Sequence, residues 1–130
     1  MEKLTKEKAI KMHREMWNWI ANKIKLSGKI VDRLYYFRSV QAIPDDRPDS
    51  LCYCCEYAMQ QNGGENVGRC KYCPLDWDSK CDEFMCLDVI QGGDYKGLLA
   101  QWDTEMIYLD KIERTVQIAE KITNLKEREE

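Results

Sequence analysis

The sequence has no long apolar run and no common catalytic motif. Its apolar runs are only a few residues long, far short of the roughly 20 needed to span a bilayer. Residues 1–14 are dotted with Lys, Glu and Arg, so the apolar stretch of about 7–15 residues that a secretory signal requires does not occur there. There is one histidine, three prolines and two phenylalanines among 130 residues. No G-x-x-x-x-G-K-[ST], G-x-G-x-x-G, H-E-x-x-H or G-x-S-x-G is present, which argues against phosphate-loop, dinucleotide-binding, zinc-protease and serine-hydrolase chemistry. A zinc deaminase would need H-x-E ahead of P-C-x-x-C. His13-Arg14-Glu15 has the letters, but Pro74 follows Cys73 instead of preceding Cys70. These absences predict a cytoplasmic protein that is not an enzyme and makes no membrane contact.

A chain of this length accommodates one hydrophobic core, so residues 1–130 are expected to form a single domain. Charge is uneven. Residues 1–40 carry ten Lys/Arg against four Asp/Glu, residues 41–90 four against ten, and residues 91–130 six against nine. A pI near 5.3 lacks the broad basic footprint of a general nucleic-acid binder. The positive first third keeps a local phosphate contact in play through Lys3, Lys6, Lys8, Lys11 and Arg14.

The expected fold is mainly α, with helices packed around an irregular, zinc-organised, Cys-rich centre. Residues 1–40 supply N-terminal helices. In 6–26, with no Gly or Pro, successive 100° steps put Ala9, Met12, His13, Met16, Trp17, Ile20 and Ile24 on one side. With Ile10 and Trp19 at its edges, the apolar arc spans about 200°, wider than an ordinary surface helix needs. Such a helix is deeply buried or meets two neighbours. Ser27-Gly28 reads as its stop. A shorter helix is expected over 29–40, carrying Ile30, Leu34, Phe37 and Val40, followed by a Pro- and Asp-rich loop over 43–50. Residues 51–93 form the zinc-binding region. Asp94 is a plausible N-cap for a long C-terminal helix over 94–126. Its apolar positions drift with a period nearer 3.5 than 3.6, which implies supercoiled pairing or a bend near Asp110. At about 45 Å this helix would have to pair with the first, protrude, or form a homodimer. The last five residues, Lys126-Glu127-Arg128-Glu129-Glu130, are all charged and read as frayed.

Cysteine is what the chain has in excess: seven residues, all within 51–93. In a reducing compartment such a cluster points to metal rather than disulfides. Cys52, Cys55, Cys70 and Cys73 form C-x2-C-x14-C-x2-C, close to the spacing of structural zinc sites. Two intervening residues let a tight turn aim both sulfurs at one Zn2+ ion, and four thiolates complete a tetrahedron with no position left for a substrate water. The competing readings are buried reduced thiols, which behave as small hydrophobes, and a C-x-x-C redox pair, which needs a βαβ context not visible here. Cys54 lies between two proposed ligands and is expected to point away from their ion. Cys81 and Cys86, four residues apart, are a weaker pair. Seven Cys and His13 make eight donors, enough in number for a second site. His13, beside Trp17 on the apolar arc, reads first as a core histidine satisfied by a hydrogen bond and second as a metal ligand. Trp17 is expected in the core, Trp19 over the metal region or against a partner, and Trp77 as a shield for the metal. Tyr53, Tyr57 and Tyr72 suit packing around the centre better than stacking on single-stranded nucleic acid.

The strings His13-Arg14-Glu15-Met16-Trp17-Asn18-Trp19-Ile20, Cys52-Tyr53-Cys54-Cys55-Glu56-Tyr57 and Cys70-Lys71-Tyr72-Cys73-Pro74-Leu75-Asp76-Trp77 resemble a group of small proteins of phages and prophages of low-GC Gram-positive bacteria. The resemblance covers about the first 80 residues. It implies a phage origin and a metal site in which Cys54 is an extra thiol, but no activity. The expected function is therefore that of a small non-enzymatic zinc protein that binds a protein partner. With a phage origin, that partner would be a host defence or transcription factor, inhibited in the host cytoplasm. The alternatives are a nucleic-acid-binding zinc module and a metal- or thiol-dependent enzyme.

Overall fold

The computed structural model describes residues 3–41, 48, 51–65, 69–77, 97–106 and 111–128. Among them the chain is mainly helical, as expected, with five α-helices: α1 (Lys6–Ser27), α2 (Arg33–Tyr36), α3 (Tyr53–Gln61), α4 (Leu98–Thr104) and α5 (Ile112–Thr123). The described residues contain no β-strand, only one antiparallel bridge between Leu75 and Glu127. None of their helices is long and apolar enough to cross a membrane.

The central element is α1. The Thr5 side chain accepts a hydrogen bond from the Lys8 N–H at 3.2 Å, satisfying one of the amides that a helix start leaves open. Gly28, at φ 67°, ends the helix in the left-handed conformation and donates its N–H to Ile24 O at 2.9 Å, so a residue without a Cβ stands where the backbone needs one. The wide apolar arc has a direct explanation, because α1 packs against α2, α3 and α5 at once. Ile10 and Ala21 are buried along with the predicted face. Ile20 and Ile24 of α1 and Ile118 and Ile122 of α5 are fully buried, at about 1.5–3 kcal/mol each. Trp17 meets Trp102 of α4 edge to face at 5.1 Å.

Several expectations need correction. The helix expected over 29–40 starts four residues late, at Arg33, because Asp32 accepts the Tyr35 N–H at 2.8 Å and caps it there. It runs on as a π-helical turn over Phe37–Gln41, and Val40 is exposed. Trp19, partly exposed, packs against Tyr35 and Tyr36 rather than over the cysteines.

The long C-terminal helix is two helices. Gly97 is the N-cap of α4, and Lys111, with an extended backbone (φ −95°, ψ 107°), is the N-cap of α5. The off-period drift of the apolar positions therefore reflects a break close to the suspected bend. Asp94 lies outside the described residues. The stripe of α5 is covered by α1, with Ala119 and Ile122 fully buried, which is the pairing with the first helix. Lys25 and Glu120 bridge the same pair of helices at 2.9 Å.

The tail is not frayed through Arg128. Asp76 N–H donates to Lys126 O at 2.8 Å and Arg128 N–H to Pro74 O at 2.7 Å, making a short strap from the end of α5 to the second cysteine turn.

Candidate functional site

The first C-x2-C pair is placed by the start of α3. Leu51 is the one non-glycine residue with positive φ (53°) among the described residues, a conformation that costs an L-residue about 1–2 kcal/mol. Its N–H is held by Pro48 O at 3.1 Å. The strained turn delivers Cys52 to the N-cap of α3, where its sulfur accepts the Cys55 N–H at 3.3 Å. A thiol here does the work usually done by Ser or Asp.

The second pair lies on a 3-10 turn, Arg69–Tyr72. Cys73 N–H donates to Cys70 O at 3.1 Å. The Arg128 guanidinium donates to Cys70 O at 3.2 Å and to Lys71 O at 2.8 Å, so the strap holds this turn by side chain as well as by backbone.

The two turns meet below α1. Cys52 (7% exposed), Cys73 (8%), Cys54 and His13 (both 0%) are buried there, whereas Cys55 and Cys70 are partly exposed. The Cys55 side-chain hydrogen bond holds the Cys52 thiol well below the usual thiol range, against the opposing effect of burial, with His13 lowering it further. The Cys54 thiol hydrogen-bonds Cys73 and lowers it, again against burial; the Leu75 N–H and the Trp77 indole add to this. Cys54 is correspondingly pushed well up, first by the bond it gives to Cys73, then by burial and by the charge of the neighbouring sulfurs. Cys52 and Cys73 are thus the accepting ends of two thiol pairs.

His13 links this cluster to α5. Its Nε2 lies 3.3 Å from Ile122 O. A carbonyl only accepts, so Nε2 carries the proton. Nδ1 is fully buried and has no hydrogen-bond partner; the imidazole influences Cys52 without meeting hydrogen-bond geometry. The edge of the ring meets Trp77 at 6.0 Å.

Of the four expected ligands, Cys52, Cys55 and Cys73 lie in one network of interacting side chains. Cys70 is on the same turn as Cys73 but is more exposed. Cys54, expected to point away, belongs to the network and also faces Ala9 O at 4.0 Å. No disulfide joins the five described cysteines, and Cys81 and Cys86 lie outside the described residues. Among the described residues, no three His, Cys, Asp or Glu side chains converge as they stand into a group able to hold a metal ion. The thiols are drawn together in pairs, not into a tetrahedron.

The strap and the role of Cys54 were missed in the sequence. A cleft of about 470 Å³ opens beside Cys73, lined by Lys6, Tyr57, Lys71, Tyr72 and Arg128. Tyr72 is 40% exposed with the Lys71 ammonium 5.2 Å from its ring centre, while Tyr53 is buried against Phe37. Of the basic residues considered for phosphate contact, Arg14 donates to Leu125 O at 3.0 Å and Lys11 pairs with Glu15 at 3.9 Å. Set against protein-family models, curated proteins and solved structures, the chain matches none of them.

Proposed function

We propose that this protein is a small non-enzymatic helical binder whose Cys-rich segment is locked by one structural zinc ion. The observation that carries this reading is the meeting of two C-x2-C turns, one from the start of α3 and one from the 3-10 turn, at a single buried junction under α1. Buried thiols alone would account for one such turn as apolar filling. They account less readily for two such turns side by side, with the Cys54 thiol of one bonded to Cys73 of the other. Four protein donors would leave the ion no open position, which is the arrangement of a structural site and not of a catalytic one.

The binding role is supported by large apolar side chains left exposed at the end of α1 (Leu26, 87%), on α2 (Tyr35, 43%) and on the π-helical turn that follows it (Val40, 47%). Tyr35 lines a groove of about 790 Å³ together with Ile30, Val31 and Met106. The resemblance to phage proteins makes a host defence or transcription factor the partner class to test. A second reading, a nucleic-acid-binding zinc module, is favoured by the Lys6, Lys71 and Arg128 cleft, where Tyr72 offers a stacking face.

Elemental analysis of purified protein tests the zinc reading, which expects one zinc per chain. Folded protein free of metal contradicts it. A partner recovered from host lysate should be lost with Leu26→Glu or Tyr35→Glu. Binding to DNA or RNA that weakens steeply with salt and survives both substitutions would favour the second reading instead.

A further inference from the structure

We propose that Cys52 and Cys55 form a thiol–disulfide exchange site at the start of α3, a dithiol that closes into a disulfide by reaction with a low-molecular-weight disulfide of the glutathione kind. The exchange is stoichiometric. It goes beyond the zinc reading and does not require the ion.

The geometry of the first turn of α3 carries this. Cys52 is the N-cap and Cys55 stands three residues on, within the turn closed by Glu56 N–H and Cys52 O at 3.0 Å. Helix geometry sets Cα atoms three residues apart at about 5 Å, inside the roughly 4.4–6.8 Å that a disulfide spans. The Cys52 sulfur is already folded over this turn, 3.3 Å from the Cys55 amide nitrogen that donates to it. The pair can therefore be bridged by side-chain rotation, without moving the backbone. A C-x-x-C redox pair works from the start of a helix. The βαβ unit expected around such a pair supplies that helix, and here α3 supplies it.

The other described thiols are placed differently. Cys54, between the two, directs its sulfur at Ala9 O of α1 at 4.0 Å. Cys70 and Cys73 repeat the spacing on a 3-10 turn, where the Cys73 N–H donates to the Cys70 carbonyl at 3.1 Å. Spacing is common to both pairs; a sulfur laid over its partner's amide at a helix start belongs to the first.

Exposure sets the order of events. Cys55 is partly exposed and Cys52 only 7% exposed, so Cys55 is the sulfur that an external disulfide reaches. It attacks one sulfur of glutathione disulfide, breaking that S–S bond and expelling one glutathione thiolate. Cys52 then attacks the Cys55 sulfur of the mixed disulfide and expels the second. The two thiol protons pass to the two thiolates, so the dithiol gives up two electrons and one glutathione disulfide becomes two glutathiones. In the reverse direction a thiolate attacks the exposed Cys55 sulfur, and Cys52 leaves toward the Cys55 N–H, a donor suited to the charge that develops there. Zinc binds thiolates, so closure of the disulfide and metal occupancy exclude each other at these two residues.

The test treats the folded protein, as purified, with glutathione disulfide, blocks the remaining thiols at intervals and maps the bonds by tandem mass spectrometry. Cys52–Cys55 should form first, about tenfold or more ahead of Cys70–Cys73, with two glutathiones released per bond. In urea, where the pairs share only their spacing, that lead should vanish. Cys52→Ser, which keeps a capping oxygen, should stop at a glutathione adduct on Cys55. Cys55→Ser should abolish both adduct and bond in this turn. First closure at Cys70–Cys73 or Cys54–Cys73, a lead that persists in urea, or a dithiol that stays reduced under excess oxidant would each overturn the proposal. Zinc measured on the same samples separates the two readings. Folded protein without zinc that closes Cys52–Cys55 ends the zinc reading alone, and zinc-loaded protein whose dithiol stays reduced ends the exchange site alone.

Discussion

If the strap from the end of α5 holds the second cysteine turn in place, Arg128→Ala should weaken the proposed zinc centre from outside it. The substitution removes two hydrogen bonds from a charged donor, to Cys70 O at 3.2 Å and Lys71 O at 2.8 Å, and spares the backbone pairing with Pro74 and Asp76. Hydrogen bonds to charged groups contribute about 1.5–3 kcal/mol each when well buried. Here one acceptor is exposed and the other partly so, which brings the expected total to about 1–2 kcal/mol. The order that Arg128 no longer imposes must then be supplied when metal binds, so zinc affinity should fall by about 5–30-fold. Competition with a chromophoric chelator measures the affinity, and urea unfolding of the zinc-loaded protein measures the stability. Arg128→Lys should be intermediate, since a single ammonium lacks the fork that spans two carbonyls. Lower stability with unchanged zinc affinity would refute the coupling between strap and centre. No change in either would mean that the guanidinium does not make these bonds in solution.

Asp103→Asn should stabilise the protein at pH 7. Burial raises the Asp103 carboxyl above its ordinary value, with Arg33 pulling the other way. A group with a raised folded-state value contributes stability that is complete below its unfolded value of 3.8 and is lost as pH rises through the folded one. Asp103 is only half-buried, so screening keeps the gain under about 1 kcal/mol, or about 1–3 °C in thermal midpoint; an advantage that persists below pH 3.8 would contradict this cause. Gly28→Ala should cost about 1–2 kcal/mol through backbone conformation alone, because a Cβ there meets nothing within 4 Å; a neutral result in chemical denaturation would mean that α1 does not end in a left-handed residue. For Trp17 and Trp102, a double-mutant cycle with leucine should give a coupling of about 0.5–1.5 kcal/mol from the edge-to-face contact, and zero coupling would reduce the rings to space-filling.

What could be read from the sequence followed the range over which each signal acts. The α1 helix was legible from end to end, since its 22 residues repeat an apolar period and finish at a glycine. Breadth of the arc announced several neighbours, though not which ones. The drift between Leu99 and Ile122 was visible too, but a period near 3.5 describes a supercoil and a broken helix equally well. Only the extended backbone at Lys111 separates them. Asp32 went unrecognised as a cap because 29–40 is short and apolar on both sides of it. The strap left no trace because backbone amides and carbonyls make its pairing, and the charged side chains of 126–128 suggested solvent instead. At the candidate site, spacing identified both C-x2-C turns. The positions of Cys54 and His13 depend on how α1 crosses α3, a tertiary fact that local spacing does not encode.

The central claim is that one zinc ion locks the two cysteine turns together, and thermal unfolding with and without a zinc chelator, followed by helicity on protein of known metal content, tests it most directly. Structural zinc in small domains contributes apparent binding energies of about 10–16 kcal/mol. The account therefore predicts one zinc per chain and a large drop in thermal midpoint, with loss of helicity, when the metal is stripped. An unchanged midpoint and unchanged helicity in metal-free protein would contradict it.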